Sequence, residues 1–238
     1  MKDRINLLKC YDADFSYSDD RLVSIGRDLN MWSVSEGRKI WRSHPLSHPS
    51  TCSLSDDASR VVVKNTSGEI RLIYTNREKS IFISRVAPTI HSKKTRPYFL
   101  LWRLPFSDAD AEMIDMSTYN IDEAAFNSDL SRVAVIHSKK PFRCAVYDLN
   151  SHDELWKMKL SSYGPGTCLA WTPDDEVISV IDNNRVNFLN ARNGKVIADF
   201  AMPFACKVQY SNSMKYLAIC SWEKGMLLQT DHVLDSLR

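Results

Sequence analysis

One pattern of strand-forming residues recurs along the chain, and it constrains the fold more than any other feature. Its clearest copy spans residues 132–160, where three runs, 132–136, 142–147 and 154–158, are rich in Val, Ile, Tyr or Trp and are separated by polar breaks. Short apolar runs bounded by polar breaks are typical of successive antiparallel strands. The pattern therefore predicts an all-β protein built from repeated groups of strands.

The copies follow one another at a nearly constant interval. The middle run of each copy ends near an aromatic residue or its substitute, and these ends are 42, 28, 45, 42 and 40 residues apart. They lie at Trp32, Tyr74, Trp102, Tyr147, Leu189 and Gln229. A period near 40 is the size of a four-stranded propeller blade. We predict a single β-propeller domain over residues 1–238, with about six blades and an incomplete third blade; five blades plus a degenerate insert is the alternative.

The two ends of the chain predict how such a ring closes. The sixth copy stops before a convincing fourth strand, and an open ring would leave exposed strand edges that invite aggregation. Residues 5–8, Ile-Asn-Leu-Leu, form the one short apolar run that precedes the first copy. We therefore hypothesise that this N-terminal run supplies the outer strand of the last blade.

Several copies resemble the blades of the WD-repeat propeller family. The turn at residues 171–175, Trp-Thr-Pro-Asp-Asp, and the aromatic-ended strand at 146–149, Val-Tyr-Asp-Leu, carry this resemblance. The Gly-His dipeptide of that family is absent, and its terminal Trp-Asp appears only as Tyr147-Asp148 and Trp32-Ser33. Residues 32–41 and 193–197 also look like blades of quinoprotein-type propellers. Both resemblances imply a propeller, and the first implies a scaffold that binds other proteins.

Charge and length exclude some classes of function. The net charge is +2 and no apolar stretch approaches the ~18 residues that span a bilayer, so neither nucleic acid nor membrane is an expected partner. The first ten residues lack the features of a signal peptide, which predicts a cytoplasmic protein. The six cysteines form no Cys-x-x-Cys pair and lie beside strand residues, so we expect buried, reduced thiols.

Two basic loops are the most suggestive functional feature. Each is predicted to connect the second strand of a blade to the third, in blades three and four. In the propellers that this chain resembles, such connections emerge on the face that also carries the links between blades. Such a cluster of positive charge favours a protein partner with an acidic or phosphorylated surface. The predicted partner-binding residues are His91, Lys93, Lys94 and Arg96 in the first loop, and His137, Lys139, Lys140 and Arg143 in the second.

Motifs that carry catalysis are not evident in the sequence. There is no Gly-rich phosphate loop and no Gly-x-Ser-x-Gly elbow, and the His and Cys residues at 44–52 lack an evident fourth zinc ligand. The carboxylates at 108–115 lie in a polar connection, and Trp41, Trp102, Trp156, Trp171 and Trp222 are expected to pack between blades. We predict a non-catalytic interaction platform, monomeric or part of a complex, with no cofactor. The alternatives are an inhibitor or immunity-type propeller that plugs a partner enzyme, and a propeller enzyme that uses its central channel.

Overall fold

The structure, a computed structural model, describes residues 4–44, 47–55, 57–65, 69–75, 80–85, 98–102, 111–115, 121–137, 140–162 and 167–230. Over these ranges every regular element is a strand apart from a single helical residue at the last position, and no helix is long and apolar enough to cross a membrane. The strands are β1 (Arg4–Cys10), β2 (Asp12–Phe15), β3 (Arg21–Ile25), β4 (Leu29–Ser33), β5 (Arg38–Ser43), β6 (Pro49–Leu54), β7 (Arg60–Asn65), β8 (Glu69–Tyr74), β9 (Ser80–Arg85), β10 (Tyr98–Trp102), β11 (Ala111–Asp115), β12 (Ile121–Phe126), β13 (Arg132–His137), β14 (Arg143–Asp148), β15 (Glu154–Lys159), β16 (Leu169–Trp171), β17 (Val177–Asp182), β18 (Arg185–Asn190), β19 (Val196–Ala201), β20 (Ala205–Tyr210) and β21 (Tyr216–Gln229).

These strands form six consecutive antiparallel sheets, which we number as blades. Blades one, two, four and five are four-stranded meanders, β2–β5, β6–β9, β12–β15 and β16–β19. Blade three contains β10 paired with β11 in the described residues, in keeping with its irregular spacing in the sequence. The first strands of neighbouring blades touch one another, β2 with β6 and β20, and β16 with β12 and β20. The blades are thus arranged around a common axis, as predicted.

The sixth blade takes its outer strand from the other end of the chain. The amide of Thr230 donates to the carbonyl of Lys215 at 3.0 Å, so the fourteen residues of β21 fold back on themselves as a hairpin. Its first half pairs with β20, and its second half pairs with β1, where Ile5 lies opposite Leu227. Both Ile5 and Leu7 are buried. The hypothesis that residues 5–8 complete the last blade is therefore confirmed.

The core lies between adjacent blades. Trp156 of blade four donates its indole N–H to the carbonyl of Ala191 in blade five at 2.8 Å. Trp171 of blade five donates in the opposite direction, to the carbonyl of Ala125 in blade four at 2.9 Å. Burying an indole is favourable only when its N–H finds an acceptor, and both do. The predicted packing of these two tryptophans between blades is confirmed.

The meander gives the ring two different faces. Because the strands of a blade alternate in direction, the connection from second to third strand and the link to the next blade emerge on the same side. We call this side the loop face; Lys140, Asn184, Phe204 and Trp222 lie on it. The opposite side, the turn face, carries the tight turns between first and second strands and between third and fourth strands.

The turn from first to second strand has one geometry in five blades. A hydroxyl or amide oxygen on its first residue accepts the amide of its sixth residue, at 2.7–3.1 Å. The fourth residue has a positive φ, between 55° and 62°, and its amide donates a hydrogen bond to the carbonyl of the first residue. The turns begin at Ser16, Ser55, Asn127, Thr172 and Ser211, and their fourth residues are Asp19, Ala58, Leu130, Asp175 and Met214. Small polar first residues are typical of turns, since they can bond their own backbone.

Two of the fourth residues also join neighbouring blades. The Asp19 carboxylate accepts the amides of Asn212 and Ser213 in the turn of blade six, at 2.8 and 2.7 Å. The Asp175 carboxylate likewise accepts the amide and hydroxyl of Ser128 in the turn of blade four, at 2.9 and 2.7 Å. We call this arrangement a carboxylate clasp. It fixes blade one to blade six, and blade five to blade four, at the turn face.

Candidate protein-interaction surface

The structure places the predicted partner-binding residues in different environments. Lys140 is exposed in the loop between β13 and β14, with its ammonium group 5.9 Å from the centre of the Phe142 ring. Arg143 begins β14 and is mostly buried, 3.9 Å from the carboxylate of Glu154. Four residues of the first loop, His91, Lys93, Lys94 and Arg96, and one of the second, Lys139, lie outside the described residues.

His137 does not belong to an exposed binding face, contrary to the prediction from sequence. Its side chain is 2% exposed at the end of β13, and its Nε2 lies 3.3 Å from the hydroxyl of Tyr147. That hydroxyl also donates to the Glu154 carboxylate at 3.2 Å. Burial, together with the charge of Arg143, lowers the pKa of His137 to about 4, so the ring is neutral at pH 7. His137 is the last residue of strand β13, whereas the sequence pattern assigns it to the loop that follows.

The buried His137 should make the protein sensitive to mild acid. Below pH 6.5 the unfolded chain takes up a proton that the folded chain cannot accept until about pH 4, so stability falls as the pH falls through this window. The full effect is about 3 kcal/mol. We expect the difference in urea unfolding free energy between wild type and His137→Gln to shrink by most of this amount, about 2.5 kcal/mol, between pH 7 and pH 4.5. A pH-independent difference would show that His137 keeps its ordinary pKa in the folded chain.

Two exposed aromatic residues lie together on the loop face. Phe204, in the link between β19 and β20, is 53% exposed, and Trp222, at the tip of the β21 hairpin, is 43% exposed. The amide of Trp222 donates to the carbonyl of Phe204 at 3.2 Å, and the amide of Phe204 donates to the Asn184 side chain at 3.1 Å. Three loops of blades five and six are therefore held together by hydrogen bonds beneath two solvent-facing aromatic rings. We call Phe204 and Trp222 the aromatic pair.

Sequence reasoning missed the aromatic pair. The sequence predicts that Trp222 packs in the core, because it lies beside the apolar run of residues 217–220. That expectation is wrong, since the chain turns back at this point and Trp222 stands on the turn. The signal available was the run Trp222-Glu223-Lys224-Gly225 between two apolar segments, which is typical of a hairpin tip rather than of a strand interior.

The first strands bring charged groups toward the axis of the ring, which the sequence did not reveal. Asp12 and Asp14 on β2 accept the amides of Cys52 and Leu54 on β6, at 3.0 and 2.9 Å. Burial raises the pKa of both carboxyl groups. Lys207 on β20 is half-buried nearby; burial lowers its pKa, but surrounding groups that include Asp12 and Glu123 together raise it.

These axial carboxylates act chiefly as bonds between strands. Asp12 and Asp14 each accept hydrogen bonds from the backbone of blade two as well as from their own blade. Within the part of the chain that the structure describes, no three His, Cys, Asp or Glu side chains are grouped so as to hold a metal ion. The geometry assigns the two aspartates a structural task, the attachment of β2 to β6.

Comparison with solved structures shows the fold. The chain is similar to the structure of U3-55K, with a TM-score of 0.67 and 11% sequence identity, over 95% of this chain and 98% of that one. It is equally similar to the crystal structure of the RRP9 WD40 repeats, with a TM-score of 0.67 and 11% identity, over 95% of this chain and 97% of that one. No protein-family model and no curated protein sequence matches the chain.

The chain is thus an all-β propeller with the fold of WD40-repeat structures. The blades predicted from sequence and the resemblance to WD-repeat propellers are both confirmed at the level of the fold. A fold alone does not specify a function. The functional argument therefore depends on the surface residues themselves.

Proposed function

We propose that this protein is a non-catalytic interaction platform that binds a protein partner through its loop face. The observation that carries the proposal is the aromatic pair, Phe204 and Trp222, held in place by backbone hydrogen bonds between loops. Interface hot spots are enriched in large aromatic residues, which contribute much apolar area at a low entropic cost. Because the loops are already fixed, a partner meets a surface that needs little ordering on binding.

The charge of the same face indicates the partner's chemistry. Lys140 and Lys224 are both exposed on it, in the second-to-third-strand connections of blades four and six. An apolar contact at the aromatic pair, flanked by acidic or phosphorylated groups opposite these lysines, would complement the face. We therefore expect a partner with an exposed apolar side chain in an acidic setting. A cytoplasmic location is part of this proposal.

Removing the aromatic pair should abolish partner binding while leaving the fold intact. The full chain carrying Phe204→Ser and Trp222→Ser would be compared with wild type in a pull-down from native lysate, followed by affinity measurements on the purified partner. Loss of a central aromatic anchor typically costs about 2 kcal/mol or more, so we expect at least a ~30-fold weaker Kd. The matched control is Val196→Ser with Ile197→Ser, which removes two equally exposed apolar residues, 52% and 47%, from the outer strand of blade five.

The outcomes separate the proposal from its rivals. A partner lost only in the aromatic variant supports the platform and places its binding face, whereas equal retention by both double variants would overturn it. A second variant with Glu at Lys93, Lys94, Lys139 and Lys140 tests the basic loops separately. If that variant binds as wild type does, the lysines serve solubility and the aromatic pair alone carries recognition.

A further inference from the structure

A groove opens on the turn face between blades one and two, opposite the loop face. Its volume is about 510 Å³. The wall from blade one is apolar and consists of Met31, Ile40 and Trp41, of which Trp41 is partly buried. The rim is formed by the first-to-second-strand turns of both blades and carries three charged residues, Asp20, Arg21 and Asp57.

The groove lies where a carboxylate clasp is missing. Asp19 and Asp175 occupy the fourth position of their turns and bond to the turn of the preceding blade. The corresponding residue of blade two is Ala58, which has the same positive φ, 55°, but no carboxylate to reach the turn of blade one. Ala58 instead lines the groove. The space that Asp19 and Asp175 fill at their junctions is therefore open at this one; Leu130 and Met214 also lack a carboxylate at the fourth position.

The rim of the groove carries negative charge at neutral pH. The Asp57 carboxylate accepts hydrogen bonds from the hydroxyls of Ser55 and Ser59 and from the Ser59 amide, at 2.7–3.0 Å. These bonds lower the pKa of Asp57 to about 2. Asp20 is bonded in the same way to Ser16 and Ser18, and it also pairs with Arg21 at 3.3 Å. Among the described residues, the hydrogen-bond donors to Asp57 are neutral, and the charge of Arg60 acts on it more weakly than they do. Asp57 is therefore the rim carboxylate whose charge is more available to a ligand.

An aromatic wall beside a carboxylate suits one kind of side chain. Lysine and arginine lay their aliphatic stems on apolar surfaces while the cationic group reaches a polar partner. A cation close to an indole ring gains a further attraction from the ring electrons. An acidic ligand would be repelled by Asp20 and Asp57, and a purely apolar one would leave the charged rim unused.

We propose that this groove binds a lysine or arginine side chain from an extended segment of a protein partner, with its stem on Trp41 and Ile40 and its cationic group at Asp57. The site is independent of the loop face, so a partner could occupy both at once. It would recognise a basic residue, whereas the loop face favours an acidic partner surface.

The test uses the full chain and four blocked tripeptides, acetyl-Gly-X-Gly-amide, in which X is arginine, lysine, norleucine or glutamate. The indole N–H signal of Trp41 in a ¹H–¹⁵N NMR spectrum, assigned with Trp41→Phe, reports binding. We expect a saturable shift with the arginine and lysine peptides, at least about fivefold weaker binding of norleucine, and no binding of glutamate. No saturable shift with either cationic peptide, or equal binding of norleucine, would overturn the proposal.

The chain offers a matched control for the carboxylate. Asp174 holds the same turn position in blade five that Asp57 holds in blade two, bonded to the Thr172 hydroxyl and the Glu176 amide at 2.6 and 3.1 Å. We expect Asp57→Asn to weaken peptide binding at least about fivefold and Asp174→Asn to leave it unchanged. Equal loss in both variants would mean that turn stability, not a ligand contact, is being measured.

A third variant, Ala58→Asp, tests whether a carboxylate placed in the groove prevents binding. Ala58→Asp places a carboxylate on a backbone conformation that aspartate tolerates, where it can accept amides of the blade-one turn as Asp19 and Asp175 do in theirs. We expect Ala58→Asp to raise the melting temperature and to eliminate the Trp41 shift with the arginine peptide. Undiminished binding by a stabilised Ala58→Asp protein would contradict the proposed site.

Discussion

Deletion of residues 1–9 should leave a chain that no longer unfolds as a cooperative unit and that aggregates on concentration. The deletion removes most of β1, the outer strand of blade six, together with the buried side chains of Ile5 and Leu7. Each such side chain contributes about 2–3 kcal/mol of burial, and the backbone pairing with β21 is lost as well. Since a domain is stable by only about 5–15 kcal/mol, the loss is comparable to the whole.

The neighbouring backbones pack closely against β1. Gly26 passes so close to this strand that a Cβ there would lie 2.0 Å from the carbonyl oxygen of Lys9. A Cβ on Gly225 would likewise lie 2.5 Å from the Cβ of Cys10 and 3.1 Å from that of Leu7. The blade-one and blade-six backbones are therefore shaped to this one strand. Without it, β21 would present an unpaired edge and an uncovered apolar surface to solvent.

The measurement is thermal unfolding followed by circular dichroism, with size-exclusion chromatography to detect aggregates. A chain that lacks only residues 1–3 is the matched control, because the strand begins at Arg4. That shorter deletion should unfold as wild type does. If the 1–9 deletion keeps the wild-type melting curve, strand β1 does not close the ring in solution.

Much of the fold could be predicted because its signals are local. The alternation of apolar and polar residues over 4–8 positions defines a strand, and the interval near 40 defines a blade. Ring closure was also predictable. The last blade lacks a fourth strand in the sequence, and residues 5–8 are an apolar run that belongs to no other blade, so this run is the natural candidate for the missing strand. Two tight turns between third and fourth strands also follow from local sequence. Gly37 and Gly194 lie in these turns with positive φ, 63° and 68°.

The candidate sites could not be predicted because they depend on contacts between blades. Asp19 and Ala58 hold the same place in the same turn, yet one joins two blades and the other lines an open groove. The sequence of the turn does not determine whether the side chain of its fourth residue reaches the neighbouring blade. Trp222 and Trp171 are both tryptophans beside apolar runs, and only the path of the chain decides that the first is exposed and the second buried. His137 shows the same limit, because a one-residue error at a strand end moves a side chain from the surface to the core.

Asp19→Ala should lower the free energy of unfolding by roughly 4 kcal/mol. The variant loses two hydrogen bonds from a carboxylate, worth about 1.5–3 kcal/mol each, and leaves the amides of Asn212 and Ser213 without this acceptor. It also places alanine at a φ of 58°, a conformation that aspartate tolerates better. Asp175→Ala should cost less, roughly 2–3 kcal/mol, because Asp175 is more exposed than Asp19.

The position of the clasp gives this prediction its control. Met214 is the fourth residue of the blade-six turn, with a φ of 62° and no side-chain acceptor, so Met214→Ala places alanine on the same left-handed backbone without removing a carboxylate. We expect Met214→Ala to cost less than about 1 kcal/mol in urea unfolding. The Asp19 clasp joins blade six to blade one, the same junction that β1 closes. If Asp19→Ala and Met214→Ala cost the same, the turn conformation rather than the clasp holds this junction, and the open groove at Ala58 would lose its structural explanation.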